Sequence, residues 1–304
     1  MTLEKRIKEA VKPYIGMPIA LSGGVDSSLL AALIKPKFAV SVELPGEDDK
    51  YNEIKHSTLV AKHLGLEHHI VQLNQSKFDE SMKIAVKAIG RPIPHFNIFP
   101  LYEMYESLAK MEIKDLVLGD GPDETMCGYA RDLIIAYLYK IYEFEAFANY
   151  RDLIDKILPP AGSTVAKLIG KPVAVDFETP ALEQMIKADI ELMRPDMDDM
   201  SNKLAAHFGI TNHRPYQDNV ELDNFMKDLP VEEKIKDVEF GKAALRKIAA
   251  KYLPKEIAWR KKKVGGPVYP VNVLKNWMEK GEFDKSKYME YQQEILNETV
   301  SNNP

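Results

Sequence analysis

Cysteine is nearly absent from this sequence, because Cys127 is the only one among 304 residues. A single thiol excludes a disulfide framework and every zinc or iron–sulfur site that is built on paired cysteines. Long apolar runs are missing too, and we find neither a signal-peptide pattern nor the stretch of about 18 apolar residues that a transmembrane helix needs. We therefore expect a globular protein of the cytoplasm that does not associate with membranes.

A surplus of basic residues is also missing. The chain has 41 Lys and Arg against 46 Asp and Glu, which gives a formal net charge of −5. Binding to a phosphate backbone needs an excess of Lys and Arg over at least one face, and the only dense basic cluster is Lys261-Lys262-Lys263. The charge balance argues against a nucleic acid as partner.

The most informative stretch runs from Pro18 to Ile34 and reads PIALSGGVDSSLLAALI. Residues 19–21 predict a short buried strand, the two glycines permit a tight turn, and good helix formers continue until Pro36. A helix N-terminus offers unpaired backbone N–H groups and the positive end of a dipole. Hydroxyl groups around the turn add further donors, so this stretch predicts a site for phosphate oxygens.

The predicted phosphate loop, residues 22–28, also contains a carboxylate, Asp26. A negative charge beside phosphates is unfavourable unless a cation such as Mg²⁺ lies between them, so the loop predicts a metal-bound nucleotide. No GxxxxGK[ST] string occurs, which disfavours γ-phosphoryl transfer on a Walker loop. The loop residues predicted to bind ATP are Ser22, Gly23, Gly24, Asp26, Ser27 and Ser28.

Strands and helices alternate in the first half of the chain. Strands are predicted at residues 19–21, 38–44, 68–73 and 115–118, with helices between them at 51–64, 77–89 and 99–110. This order predicts an α/β fold with a doubly wound, mainly parallel sheet. The break at residues 159–163 (PPAGS) predicts a boundary between a core of residues 1–160 and a mostly helical part of residues 161–304, whose tail frays after about residue 298.

A second turn rich in carboxylates follows the fourth predicted strand. Residues 119–124, here called the acidic turn, read GDGPDE and lead into a predicted helix. Ligands of open parallel sheets lie at the carboxyl ends of the strands. We therefore expect the acidic turn and the phosphate loop to face the same crevice.

Four segments together resemble a known family. The SGGVDSS string at 22–28 resembles the SGGxDSS loop of the PP-loop ATP pyrophosphatases. LGDGPDE at 118–124, with Gly128-Tyr129 after it, is similar to the (L/V)SGEGxDExFGGY segment of class B asparagine synthetases. HLGLEHH at 63–69 and LPKEIAWRKKK at 253–263 are similar to two further segments of that family, so the resemblance extends over roughly residues 15–275.

The resemblance implies an amide-forming ligase of the PP-loop fold, with ATP and Mg²⁺ as cofactors. Such an enzyme adenylates a carboxylate, here the aspartate side chain, releases pyrophosphate, and transfers ammonia to give asparagine and AMP. The residues implied are Leu21, Val42 and Gly119 for ATP, Asp26 and Asp123 for the metal, Asp120 as the base, and Lys262 on the pyrophosphate or acyl-adenylate oxygens.

The sequence departs from the family pattern at several positions. The N-terminal glutaminase domain of the family has no counterpart here, so the resemblance implies that free ammonia or a separate glutaminase subunit supplies the nitrogen. Asp120 stands where the family has Glu, and Thr211 and His213 stand where it has Glu and Arg. The latter two departures concern recognition of the aspartate side chain more than the chemistry of ATP.

Two alternatives remain open. One is a related AMP-forming ligase for another carboxylate and amine, including a lactam-synthetase-like enzyme, although such enzymes have a tyrosine at the position of Asp120. The other is a non-catalytic nucleotide-binding partner protein. The joint presence of Asp26, Asp123 and Lys262 argues against it, because a protein that only binds a nucleotide has no transition state to stabilise.

Overall fold

The computed structural model describes residues 1–43, 53–94, 98–129, 132–133, 181–237, 239–260 and 285–301. The chain forms two compact units, each assembled from separate stretches. The sheet unit comprises residues 13–118, 198–213 and 262–304, and the acidic-turn unit comprises residues 1–12, 119–197 and 214–261. The predicted boundary at residues 159–163 lies outside the described residues and stays a prediction.

A five-stranded parallel sheet forms the centre of the sheet unit. Its strands are β1 (Ile19–Ala20), β2 (Phe38–Glu43), β3 (Glu67–Gln72), β4 (Asp115–Val117) and β5 (Thr211–His213), in the order β3-β2-β1-β4-β5. Ile19 pairs with Ala39 on one side and with Val117 on the other, which makes β1 the central strand. The predicted parallel, doubly wound α/β sheet is confirmed, and its four predicted strands are found within one residue at each end.

The fifth strand was not among the predicted strands. Thr211, Asn212 and His213 are all polar, whereas a strand in a parallel sheet is expected to be apolar. Among the described strands, β5 pairs only with β4. Its side chains make polar contacts: the Asn212 side-chain amide donates to the Tyr105 hydroxyl at 2.9 Å, and His213 Nε2 lies 2.8 Å from Asp115 Oδ1. This edge strand is stabilised by polar contacts, so its sequence lacks the apolar pattern from which the other strands were predicted.

Helices make up most of the remaining described structure. In chain order they are α1 (Leu3–Ala10), α2 (Val25–Ile34), α3 (Ile54–Leu64), α4 (Phe78–Ile89), α5 (Ile98–Lys110), α6 (Pro122–Thr125), α7 (Ala181–Ala188), α8 (Arg194–His207), α9 (Pro215–Asp218), α10 (Val220–Lys227), α11 (Val231–Lys234), α12 (Ala243–Ala249), α13 (Lys255–Ala258) and α14 (Lys285–Ser301). A two-stranded antiparallel sheet of β6 (Ile235–Asp237) and β7 (Phe240–Gly241) interrupts the predominantly helical second half.

Two ends of helices bear on the predictions. Leu29, Leu30 and Ile34 of helix α2 are fully buried. The helix is capped by Lys35, which has the left-handed conformation and precedes Pro36. Helix α14 extends to Ser301, and the predicted fraying of the tail after about residue 298 stays a prediction. Among the described helices, none is both long enough and apolar enough to cross a membrane.

Candidate active site

The phosphate loop follows the central strand β1 directly. The Leu21 amide donates to the Val40 carbonyl at 2.8 Å, which fixes the first residue after β1 against β2. Ser22 then turns back towards helix α2: its amide donates to Ser27 Oγ at 3.3 Å, and the two hydroxyl oxygens are 3.1 Å apart. These bonds hold the loop over the first turn of α2.

Gly23 lets this loop lie directly on the first turn of helix α3. Its φ of +72° is in the left-handed region. A Cβ atom at this position would be 2.5 Å from the Ser57 amide nitrogen and 2.7 Å from the His56 carbonyl carbon, both backbone atoms. Only glycine fits here, for reasons of both conformation and space.

The N-terminus of α2 presents donors without a side-chain cap. Gly24 is the N-cap residue and offers no side-chain hydrogen bond, and the first helical bond runs from the Ser28 amide to the Gly24 carbonyl at 3.1 Å. Ser22 is exposed, and in the described part of the chain the buried Ser28 hydroxyl has no hydrogen-bond partner. An uncapped ten-residue helix that starts beside an exposed hydroxyl group fits an anionic ligand such as phosphate.

The structure brings most of the predicted ATP-binding residues into the sheet unit. Ser41, which precedes Val42 in β2, donates from its Oγ to the carbonyl of Leu21 at 2.5 Å. This hydrogen bond joins β2 to the start of the phosphate loop. Gly119, Asp120 and Asp123 belong to the acidic-turn unit, and Lys262 lies outside the described residues.

Asp120 in the acidic turn forms an ion pair that the sequence did not predict. Arg214 Nε lies 3.2 Å from Asp120 Oδ2; the arginine side chain is 4% exposed and that of Asp120 is 56% exposed. The Arg214 amide also donates to Asp218 Oδ2 at 2.6 Å. The buried guanidinium of Arg214 thus forms an ion pair with the exposed carboxylate of Asp120.

Asp123 pairs with Lys242, a second residue that sequence reasoning missed. Lys242 Nζ lies 2.7 Å from Asp123 Oδ1, and its side chain is 3% exposed. Lys242 has a φ of +56°, and its amide donates to the Met126 carbonyl at 2.9 Å. A single lysine before an apolar helical run carries no sequence signal, and only the fold brings its ammonium group to the acidic turn.

Gly128 leaves room for this ion pair. A Cβ atom at Gly128 would lie 2.0 Å from Asp123 Oδ1 and 2.2 Å from Lys242 Cε. The glycine that the sequence matched to the family segment is therefore a spatial requirement of the Asp123–Lys242 pair.

Glu124, the last residue of the acidic turn, has a largely buried side chain. The Tyr129 hydroxyl donates to Glu124 Oε1, and Arg194 Nε lies 3.9 Å from Glu124 Oε2. Burial raises the pKa of Glu124 to about 7, and the charge of Asp123 acts in the same direction. Near neutral pH the carboxyl group of Glu124 is therefore protonated for a substantial part of the time.

Cys127 does not have the environment of a nucleophile. The residue is fully buried, and burial raises the pKa of its thiol far above the ordinary value. The thiol stays protonated at neutral pH, and it is the only thiol in the sequence.

The carboxylates of the two turns suit a magnesium ion in chemical type. Mg²⁺ is usually held by one or two carboxylates together with phosphate oxygens and water. Among the described residues there is no cluster of three or more His, Cys, Asp or Glu side chains that could hold a metal by themselves. Asp26 and Asp123 belong to different units, so a metal ion shared between them stays a prediction.

Comparison with known proteins agrees with the two motifs. The sequence profile of the asparagine synthase family matches residues 16–287, which include the phosphate loop and the acidic turn. The chain belongs to the asparagine synthase family. This membership confirms the resemblance to the synthetase part of class B asparagine synthetases.

Two curated relatives are similar to this chain in sequence. Asparagine synthetase B (glutamine-hydrolysing) of Escherichia coli strain K12 is 26% identical over 287 residues, which cover 86% of this chain and 42% of that protein. The protein of Penicillium rubens named amidase chyE is 26% identical over 148 residues, which cover 42% of this chain and 22% of that protein. The chain thus spans less than half the length of the curated relatives it matches.

Thr211 and His213, where the family pattern has Glu and Arg, lie in the edge strand β5. His213 contacts Asp115 and also lies against the Tyr14 ring, with ring centroids 5.4 Å apart, whereas Thr211 is exposed. A guanidinium is present one residue later, at Arg214. The chain therefore uses His213 for a packing contact in the sheet unit, and Arg214 contacts the acidic turn.

Proposed function

We propose that this member of the asparagine synthase family is an ATP-dependent, AMP-forming amide ligase. It adenylates a carboxylate, most simply the side chain of aspartate, and transfers ammonia to it. The observation that carries the proposal is the family match over residues 16–287, because it includes both turns that this chemistry needs.

The phosphate loop would bind the nucleotide. Leu21 and Val42, which lie beside the loop, are assigned to ATP binding as well. Gly23 and Gly24 allow the backbone to approach the phosphates, and Ser22 and the amides at the start of α2 would donate hydrogen bonds. Ser27 and Ser28 complete the hydroxyl groups of the loop, and Gly119 is assigned to ATP binding by the resemblance to the family.

Cations would stabilise the charge that develops during adenylation. Mg²⁺, held by Asp26 and Asp123, would act as a Lewis acid on the phosphate oxygens. Lys242, paired with Asp123, adds a fixed ammonium group at the acidic turn, and Lys262 is assigned to the leaving pyrophosphate or the acyl-adenylate oxygens. The ammonium group of Lys242 also keeps the Asp123 carboxylate oriented before a ligand arrives.

Asp120 would accept the proton of the attacking ammonia. The adjacent Arg214 guanidinium, 3.2 Å from Asp120 Oδ2, would hold the carboxylate in a fixed orientation. A weak base is sufficient at this step, because the nitrogen becomes strongly acidic once it has bonded to the acyl carbon.

Ammonia would be the direct nitrogen donor of this chain. Glutamine hydrolysis needs an activated nucleophile, and the buried, protonated thiol of Cys127 is not one. The E. coli relative is named as glutamine-hydrolysing, which supports a separate glutaminase as a partner that delivers ammonia.

The first test is the identity of the products. With Mg²⁺, ATP and aspartate, the purified chain is expected to catalyse exchange of labelled pyrophosphate into ATP, and with ammonium it is expected to form AMP and asparagine. Screening other carboxylates in the same assay identifies a different acceptor, and turnover without ammonium indicates a substrate that carries its own amine. Release of ADP and phosphate, or no exchange with any carboxylate, contradicts the proposal.

The second test concerns the proton acceptor. Asp120→Asn keeps the shape of the side chain but removes its basicity, so we expect amide formation to slow by about 100-fold while pyrophosphate exchange changes little. Asp237→Asn, at an exposed acid paired with its neighbour Lys236 at 3.2 Å, is the matched control and should leave both rates unchanged. Equal loss of both half-reactions in Asp120→Asn refutes its role as the base.

A further inference from the structure

A π-helical turn precedes helix α8 and sets the position of Arg194. Residues Asp189–Met193 form this turn, and Arg194 is the first residue after it. π-helical turns are rare and occur frequently at functional sites, because the extra residue redirects the side chains that follow. The side chain redirected here is that of Arg194.

Arg194 bonds to the acidic turn and to helix α10. Its Nη2 donates to the Gly121 carbonyl at 3.2 Å, and its Nη1 donates to Asp223 Oδ2 at 2.9 Å. Its Nε lies 3.9 Å from Glu124 Oε2. One guanidinium therefore links three separate stretches of the acidic-turn unit.

The three charged side chains of this cluster are largely buried. Arg194 is 10% exposed, Glu124 is 11% exposed and Asp223 is 17% exposed. In the described part of the chain, Arg194 Nε, Glu124 Oε2 and Asp223 Oδ1 have no hydrogen-bond partner. Buried polar atoms without hydrogen bonds lower the stability of a fold. The stability of the fold therefore does not by itself explain why these three charged side chains lie together.

Each residue that Arg194 contacts in the acidic turn is next to a predicted functional carboxylate. Gly121 follows Asp120, and Glu124 follows Asp123. The Gly121 carbonyl also accepts from Thr125 Oγ1 at 3.1 Å, and Gly121 has a φ of +115°. The backbone of the turn is thus held from two sides at the point where the chain changes direction.

We propose that Arg194 is a positioning residue, which fixes the acidic turn so that Asp120 and Asp123 are held in their working orientation. The inference rests on the proposed function for its kinetic readout, but its structural part is independent of it. Arg194 itself touches no reacting atom and acts through the Gly121 carbonyl and the Glu124 carboxyl group.

The experiment compares Arg194→Met and Arg194→Lys with Arg6→Met. Arg6 is a matched control in the same unit: its guanidinium lies 4.5 Å from the Phe225 ring centroid and 3.9 Å from Glu221 Oε2, and its Nε is also buried without a partner in the described part of the chain. The measurements are kcat and KM for ATP in pyrophosphate exchange, below the melting temperature of each variant, and hydrogen exchange of the amides of residues 119–128.

A misplaced reacting group costs about 100-fold in rate, so Arg194→Met is expected to lower kcat by about that factor. The KM for ATP should change much less than kcat, because the phosphate loop, which supplies most of the proposed contacts to the nucleotide, is untouched. Arg194→Lys keeps the charge and should recover about tenfold of the loss, and Arg6→Met should retain the wild-type kcat. Amides of residues 119–128 should exchange faster in Arg194→Met alone.

Several results overturn the inference. The inference is wrong if Arg194→Met retains a kcat close to that of the wild type. It is also wrong if Arg194→Met and Arg6→Met lose kcat equally, because an equal loss indicates a general structural role. If the wild-type chain shows no exchange activity, the proposed function fails, and hydrogen exchange alone decides: faster exchange confined to residues 119–128 supports positioning, and unchanged exchange refutes it. If Arg194→Met does not fold, the kcat and hydrogen exchange of Arg194→Lys decide in the same way.

Discussion

Replacing Gly23 by alanine is expected to abolish ATP binding and to destabilise the fold. The left-handed backbone conformation costs a residue with a Cβ atom roughly 1–2 kcal/mol. The new methyl group would also meet the Ser57 amide nitrogen at 2.5 Å, and backbone atoms cannot yield as a flexible side chain can. Overpacking of this kind costs about 1–3 kcal/mol more, a large part of a typical stability of about 5–15 kcal/mol.

Two other glycines separate the causes of this effect. Gly16 has a φ of +81° with nothing within 4 Å of an added Cβ, so Gly16→Ala measures the backbone strain alone. Gly24→Ala brings the new Cβ to 3.2 Å from Ser22 Oγ, a flexible side-chain atom, and should be milder for stability. Melting temperature and ATP affinity are measured for all three. Equal melting temperatures of Gly23→Ala and Gly16→Ala would show that the predicted clash with α3 does not occur.

Replacing Gly128 by alanine is expected to have the second largest effect, through the Asp123–Lys242 pair. The added Cβ would lie 2.0 Å from Asp123 Oδ1, 2.2 Å from Lys242 Cε and 2.7 Å from Asp123 Cα, so both the ion pair and the backbone at Asp123 must shift. Lys242 is buried, and a buried charge separated from its partner costs about 3–5 kcal/mol. We expect kcat to fall by about 100-fold or more, because Asp123 loses its orientation.

Comparison with variants of the pair identifies the mechanism. Lys242→Met removes the ammonium group and keeps an unbranched side chain that ends at the position of Lys Cε. The double variant Gly128→Ala/Lys242→Met then measures the coupling between the two positions. If Gly128→Ala acts by breaking the pair, its loss of kcat is much smaller in the Lys242→Met background. Fully additive losses of kcat would show that Gly128 acts independently of the ion pair.

The sequence predicted the fold class and the phosphate loop because both leave local signals. The apolar strands β1, β2 and β4 are short runs between turn residues, and the two glycines followed by helix formers mark the start of α2. The acidic turn was found for the same reason, since its glycines and carboxylates are consecutive in the chain. The match of the family profile over residues 16–287 agrees with these segments.

The partners of the acidic turn left no such signal. Lys242, Arg214 and Arg194 are single basic residues in ordinary surroundings, and each reaches the turn only because the chain folds back on it. Strand β5 was not predicted for a related reason. Its polar residues are stabilised by contacts with Tyr105 and Asp115, so the apolar pattern of a strand is absent.

The sequence by itself determined that this chain is an α/β protein with a glycine-rich phosphate loop and a separate acidic turn, because secondary structure and turn chemistry depend on neighbouring residues. The tertiary structure alone decided which charges surround the two aspartates of the acidic turn. Ion pairs form between side chains that are distant in sequence, and their strength depends on burial and distance. Neither quantity can be read from the order of the residues.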